Sequence, residues 1–246
     1  MRQVTIRQDW SHIRGVLLDK DGTILDYART WLPINREVAL AAARGDRDLA
    51  DRLLRAGGHD PETDDVQPGS PLAAGTADDL AECFAGELGE RTPPDLVDTI
   101  ARLFAEGGAR TAVLLDGADK AIAALKAKGL VVGLATNDSD GGMRASLVRV
   151  GLLDAFDFLI ASDGGHGAKP GPGMALAFAK AAGFAPHEMA AVGDATHDLE
   201  MAKRAGYGMK VAVLSGTGTH ADLAPHADVV LASINDLAAM LGSNRA

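Results

Sequence analysis

The chain has 246 residues, 47% of them apolar but only 4% aromatic, and a formal net charge of −10. That is enough apolar material for one large domain, or for a core with an insertion, and its alanine-rich, aromatic-poor character favours packed helices over a β-sandwich. The negative balance argues against a nucleic-acid partner held by a basic face, and one cysteine, Cys83, leaves neither a disulfide framework nor a thiolate metal cluster.

The opening stretch MRQVTIRQDWSHIRG has no apolar leader core, and nowhere do 18 apolar residues run together. The expectation is a soluble, reducing, cytoplasmic setting with no membrane partner. The first predicted strand is RGVLLD (14–19), and it runs into Asp19-Lys20-Asp21-Gly22-Thr23. Alternation along extended backbone turns Asp19 and Asp21 to one side and Lys20 to the other, as a solvated or second-layer charge. Gly22 permits a tight turn that the Thr23 hydroxyl can fix by a local bond. Two carboxylates brought together repel, and a divalent cation with oxygen ligands, such as Mg²⁺, resolves the conflict. An EF-hand fails here: counted from Asp19, glycine falls at loop position four, position twelve is Thr30, and GVLL precedes the loop as a strand.

From residue 27 to 112 the texture is helical, with helices expected at about 34–44, 46–56, 76–88 and 94–106, starting in the latter two cases at Thr76 and Pro94. The segment DPETDDVQPGSPLAAGT (60–76) reads as a long ordered loop. Beyond residue 113 short apolar runs return as LVVGLAT (130–136), FDFLIAS (156–162), MAAVGD (189–194), KVAVLS (210–215) and ADVVLA (227–232), separated by helical patterns such as 118–129 and 173–183. This alternation predicts an α/β fold: a doubly wound, Rossmann-like parallel sheet (1–26 and 113–246) with an inserted α-helical domain (27–112).

Ligands of such sheets bind at the carboxyl ends of the strands. Those ends carry Asp19 and Asp21; Thr136, Asn137 and Asp138; Asp163; Asp194 and Asp198; and Ser215. Asp194 reaches the same metal as Asp19 if the two strands are neighbours. Asp198 can ligate directly, act through water or cap a helix. Thr136 and the N–H groups after it suit an anion, or equally an ordinary helix cap. Lys169 sits in GAKPGPG, where Pro170 and Pro172 stiffen its approach to a helix.

Four of these segments, in this order, resemble the haloacid dehalogenase-like (HAD) hydrolase superfamily, whose first motif is D-x-D-G-T. Asp19 to Thr23 matches that motif, Thr136-Asn137 the second, Lys169-Pro170 the third and Gly193-Asp194…Asp198 the fourth. The match spans the core, roughly two thirds of the chain, and the insertion resembles the superfamily's helical cap. The resemblance implies that Asp19 attacks phosphorus to form an aspartyl-phosphate and that Asp21 serves as acid, then base. It further implies that Thr136, Asn137 and Lys169 hold the phosphoryl oxygens. Mg²⁺ would be bound by Asp19, the Asp21 backbone carbonyl and Asp194, with Asp198 in direct or indirect contact.

Within the superfamily, Asp21 argues against carbon–halogen cleavage, which has no alkoxide to protonate. No lysine occurs between Lys20 and Lys120, so a Schiff base on the cap has no residue to form it. The runs DKDGTILD and GTGTHADLAPHADVVLASINDL look like the phosphoglycolate-phosphatase-like group, which implies a phosphatase acting on a small phosphorylated metabolite, as monomer or homodimer. A sugar-phosphate phosphatase or β-phosphoglucomutase-like phosphotransferase is the alternative, and a non-enzymatic binding protein a more distant one. Substrate choice falls to the cap, where the candidates are Arg29, Trp31, Arg36 and the Gly69–Thr76 segment. His197 lies inside the fourth motif and reads as an exposed turn residue that could reach the site. The cap is expected to hinge near 26–29 and 110–114.

Overall fold

The computed structural model describes residues 10–242. The opening residues 1–9, read above as free of a leader core, and the last four, assigned to the sheet domain, lie outside the described residues. Six strands, β1 (Gly15–Leu18), β2 (Val131–Thr136), β3 (Phe158–Ala161), β4 (Met189–Gly193), β5 (Met209–Val213) and β6 (Val229–Leu231), form one parallel sheet in the order 3-2-1-4-5-6. This is the doubly wound arrangement expected from the sequence. Strand β1 lies in the middle, hydrogen-bonded to β2 on one side and β4 on the other.

Eleven helices accompany the sheet among the described residues. The first five are α1 (Tyr27–Ala42), α2 (Arg47–Ala56), α3 (Pro71–Ala74), α4 (Ala77–Leu88) and α5 (Leu96–Thr111). The remainder are α6 (Ala118–Ala127), α7 (Asp140–Arg149), α8 (Gly173–Ala182), α9 (Thr196–Ala205), α10 (His220–Leu223) and α11 (Ile234–Gly242). Strand alternation divides the core. Val16 and Leu18 pack with α6, α7 and α11, whereas Leu17 turns to the opposite face with Phe178 of α8 and Met201 of α9. Gly133 makes the second face possible, because a Cβ there would lie 2.6 Å from the Phe178 ring.

Helices α1–α5 form a separate layer with its own apolar core, built on Ile34, Leu53, Leu80, Phe84 and Ile100. The two chain crossings between layer and sheet run side by side: Asp26 N–H donates to the Val113 carbonyl at 2.9 Å, and Leu115 N–H to that of Ile24 at 3.0 Å. Helix α1 starts earlier than expected because Asp26 caps it, its carboxylate accepting from Arg29 N–H at 3.0 Å. Pro33 lies inside that helix and does not end it, since Trp31, Ile34 and Val38 on one face are buried. Thr76 caps α4 through a reciprocal pair with Asp79, as the sequence suggests. Pro94 does not start α5: a turn takes up that proline, and the helix begins at Leu96 and continues to Thr111. Segment 60–76 is not all loop, since it contains α3 and a bridge between His59 and Val66. No helix among the described residues is long and apolar enough to cross a membrane.

Candidate active site

Asp19 follows the last residue of β1, and its N–H donates to the Val192 carbonyl of β4 at 2.9 Å, so the neighbouring strand fixes its position. The chain then turns sharply. Lys20 carbonyl accepts from both Ile24 and Leu25 N–H at 2.9 Å, and Ser215 Oγ donates to the Gly22 carbonyl at 2.7 Å. Gly22 has φ +76°, and a Cβ there would fall 2.5 Å from Asp194 Oδ2, so glycine is required on both counts. The Thr23 hydroxyl, expected to fix this turn, is buried without a hydrogen-bond partner. The backbone bonds and Ser215 hold the turn instead.

The first motif also decides between the two roles expected of Lys20. Lys20 is not turned out to solvent: it is fully buried, with Nζ 2.9 Å from Asp21 Oδ2 and 3.0 Å from Asp138 Oδ2. Its ammonium also lies 4.6 Å from the centre of the Trp31 ring. Asp19 and Asp21 both line the cavity and Lys20 does not, so the expected sidedness is kept even though β1 ends at Leu18, and Lys20 lies behind the aspartates rather than in solvent. Burial opposes the Lys20 charge, but Asp21 and Asp138 outweigh it and hold the ammonium above its ordinary range. Asp21 is fixed from the cap side too, accepting from Trp31 Nε1 at 2.6 Å.

Lys169 reaches the same centre from the loop before α8. Its Nζ donates to Asp19 Oδ1 at 2.5 Å and to Asp198 Oδ1 at 2.6 Å. Asn137 seats it: Oδ1 accepts from Lys169 N–H at 2.8 Å, while Nδ2 donates to the Ala74 carbonyl of the cap at 2.9 Å and the Lys169 carbonyl at 3.3 Å. The Asn137 side chain therefore joins Lys169 to the cap. Thr136 is buried beside it, its Oγ1 accepting from Asp138 N–H at 3.1 Å.

Asp194 directly follows β4, next to Asp19, as its placement after a neighbouring strand requires. Its Oδ2 accepts from Thr217 N–H at 2.8 Å, and the β5–α10 loop presses so close that a Cβ on Gly216 would sit 1.9 Å away. Asp198 lies in the first turn of α9; its Oδ2 accepts from Ala195 N–H at 3.2 Å and its Oδ1 faces Lys169 and, at 3.2 Å, His197 Nδ1. His197 is therefore part of the site and not an exposed turn residue.

Asp19, Asp194 and Asp198 are all buried, and each offers an oxygen within 4.8 Å of the others. Burial pushes Asp194 up to about 8, with repulsion from Asp19 and Asp198 adding to it. Burial likewise raises Asp19 to about 6, despite the opposing pull of Lys169. For Asp198 the balance reverses: His197 and Lys169 overcome burial and hold the carboxyl well below its ordinary value. Two carboxylates thus lack enough positive charge, in a nest of oxygen donors with no thiolate. That donor set fits a hard divalent cation.

Above the carboxylates lies a cavity of about 240 Å³, whose far wall comes from the α1–α5 layer. Trp31 lines it, as does segment 71–76, within the stretch singled out from the sequence. Arg29 and Arg36 do not. Arg29 is exposed, and Arg36 is engaged elsewhere, with Nη2 donating to the Pro61 carbonyl at 2.9 Å and Asp64 Oδ1 at 2.5 Å. Missing from the sequence reading are Val97, Ala101 and Phe104 of α5. Their spacing of four and three is a legible signal, for it runs beside the buried stripe Leu96, Ile100 and Leu103 and makes the apolar face of α5 wider than cap packing needs.

The family model described as haloacid dehalogenase-like hydrolase matches residues 13–206. Phosphoglycolate phosphatase from Escherichia coli O157:H7 is 30% identical over 263 residues, covering 94% of this chain and 93% of its own. The enzyme of that name from Shigella sonnei is 31% identical over 246 residues with the same coverage. A crystal structure of a hydrolase from Pseudomonas syringae superposes with a TM-score of 0.69 at 20% identity, covering 94% of this chain and 98% of its own. A match over most of the chain, on the four segments that meet around Asp19, establishes that the protein belongs to the haloacid dehalogenase-like hydrolase family.

Proposed function

We propose that the protein is a magnesium-dependent phosphatase that hydrolyses a small phosphorylated metabolite through an aspartyl-phosphate at Asp19. One observation carries this reading: Lys169 bridges Asp19 and Asp198, with Asp194 alongside and Asp21 held by Lys20 and Trp31, all at the carboxyl edge of one sheet beneath a single cavity. The similarity to phosphoglycolate phosphatases over 94% of the chain supports phosphate-ester chemistry. On this reading residues 1–26 and 113–246 form the catalytic domain and 27–112 the cap.

The Asp19 carboxylate attacks phosphorus, so that an Asp19 O–P bond forms as the bond from phosphorus to the substrate's ester oxygen breaks. Asp21 gives its proton to the departing alkoxide. Its pKa is raised by burial and restrained by Lys20, which suits a group that must hold a proton and then accept one. In the second half, Asp21 takes a proton from water, whose oxygen attacks phosphorus and releases phosphate, restoring Asp19. Lys169 places positive charge beside Asp19, where the phosphoryl oxygens gather negative charge, and Thr136 lines the same edge. Asp198 aims Lys169 through their bond. Asp19, Asp194 and the Asp21 backbone carbonyl would hold Mg²⁺, with Asp198 beside them. The ion supplies the positive charge that these carboxylates lack and that phosphoryl transfer demands.

Hydrolysis of 4-nitrophenyl phosphate is expected with Mg²⁺ and is expected to vanish with EDTA; activity that survives chelation would contradict the reading. Free phosphate should appear in proportion to ester consumed, whereas a mutase would interconvert esters without releasing it. The same carboxylates predict a pH-dependent stability. Without metal, folded Asp194, Asp19 and Asp21 hold protons that the unfolded chain releases, and His197, raised by Asp198 against the effect of burial, acts in the same direction. Stability should therefore fall as pH rises from about 4 to about 8. Asp198 has the opposite sign, but its window lies below the ordinary value of 3.8. Added Mg²⁺ should accordingly raise the melting temperature more at pH 8 than at pH 5. Equal shifts at both values would contradict a site built from these carboxylates.

A further inference from the structure

The cavity above Asp19 differs in chemistry between its two halves. Its floor is polar and its roof is not. On the cap side the wall is Trp31, Leu72, Val97, Ala101 and Phe104, joined by the small residues 73–75. Trp31 and Phe104 meet edge to face, with ring centres 5.6 Å apart at 78°, and form a single aromatic surface. Val97 is 38% exposed, an apolar side chain left open toward the cavity it lines.

That roof offers a ligand no positive charge. Among the residues lining the cavity there is no arginine or lysine, and the one charged residue contributed by the cap is Asp78. His197 lines the floor, but its Nδ1 already faces Asp198 at 3.2 Å. Lys20 and Lys169 are each shared between two carboxylates beneath the floor. The side-chain donors Tyr27, Thr76 and Trp31 are committed as well. Tyr27 Oη donates to the Leu72 carbonyl at 2.7 Å, Thr76 Oγ1 to Asp79 Oδ2 at 2.8 Å, and Trp31 Nε1 to Asp21. A carboxylate brought under this roof would meet no cationic side chain, only the first-turn amides of α4 at Ala77 and Asp78 beside the Asp78 carboxylate, and sugar hydroxyls laid against Trp31, Val97, Ala101 and Phe104 would lose hydrogen bonds to water.

We infer that the substrate is a phosphate monoester of an uncharged, predominantly apolar alcohol, whose carbon skeleton rests against Trp31, Phe104, Val97 and Ala101 while the phosphate meets Asp19. This rests on the phosphatase reading above and sets the chain's specificity apart from the carboxylate-bearing ester after which its relatives are named. The cavity volume of about 240 Å³ suits a leaving group of a few carbons up to one ring. Specificity of this kind is discrimination by an unpaired charge, which a binding site enforces more strongly than the loss of a methylene.

The test compares kcat/KM for 2-phosphoglycolate and isobutyl phosphate, which share one heavy-atom skeleton and differ in carboxylate against two methyls, with glucose 6-phosphate as a third arm and 4-nitrophenyl phosphate as the activity control. Isobutyl phosphate is expected to exceed 2-phosphoglycolate by at least about tenfold, and glucose 6-phosphate by a similar margin. Ala101→Arg, or Val97→Arg at the more open position, is expected to narrow the gap by rescuing the carboxylate ester. Equal or better turnover of 2-phosphoglycolate or glucose 6-phosphate by the native chain would overturn the inference and leave the phosphatase reading standing. So would a preference that neither folded arginine variant narrows. Failure on every ester, including 4-nitrophenyl phosphate, would overturn both.

Discussion

Replacing Asp19 with asparagine is expected to lower kcat on any phosphate ester by at least about 10³-fold, because the amide has no lone pair basic enough to attack phosphorus. The fold should survive. Asp19 carries its charge at a cost, since burial raises its pKa to about 6 and Asp198 and Asp21 repel it, and asparagine removes that burden while keeping the shape. Lys169 loses one partner but keeps Asp198 at 2.6 Å. The metal-free variant should therefore melt at the same temperature as the native chain or higher. Lost activity with an unchanged or raised melting temperature separates a chemical role from a structural one. A variant that keeps a tenth or more of native kcat would remove Asp19 from the chemistry.

The Lys20→Met variant is expected to lose stability, by about 3 kcal/mol in urea unfolding near neutral pH. Methionine nearly matches the volume, so the loss comes from charge. Without the ammonium, Asp21 and Asp138 face each other across a buried gap with nothing to neutralise them. The lower end of the usual cost for breaking a buried pair is appropriate, since their side chains keep 21% and 12% exposure and can take up water or protons. Turnover should fall too, because Asp21 would be left with Trp31 alone to aim it. Adding Asp138→Asn to Lys20→Met should recover much of the stability but little of the activity. A loss below about 1 kcal/mol would mean that the Lys20 charge is dispensable to the fold.

The contrast between these residues shows how far sequence reading carries here. The strands were legible because each is a short apolar run bounded by turn residues, and a strand in the middle of a parallel sheet has no polar face to confuse the pattern. The carboxylates, Thr136 and Lys169 were legible because polar residues at the ends of such runs have few structural reasons to be there. For Lys20 the sequence left two roles open, solvated or lying behind the aspartates, and its burial against Asp21 and Asp138 selects the second. Thr23 was misread: the turn closes through backbone bonds, and its hydroxyl is left buried.

The cap is where the reading falls shortest. Arginines attract attention in a sequence as partners for an anionic substrate, yet Arg29 is exposed and Arg36 is tied to Pro61 and Asp64. The residues that do line the cavity are apolar, and an apolar helix residue facing a ligand looks the same in one dimension as one facing a core. Only the second stripe on α5, at 97, 101 and 104, carries a trace of the difference. The helix expected from about 34 starts at Tyr27 instead, with Pro33 inside it, since burial of that helix's inner face outweighs the proline's local preference for breaking it.

The central claim is that the phosphoryl group passes through the Asp19 carboxylate. Acid quenching during turnover of 4-nitrophenyl phosphate with Mg²⁺, borohydride reduction of any acyl phosphate, and mass analysis of the peptide containing residues 15–24 tests it directly. The account predicts homoserine in place of Asp19, formed only when substrate is present and absent from the Asp19→Asn variant. An unmodified Asp19 in an enzyme that was turning over, with the reduced residue found elsewhere in the chain, would contradict it.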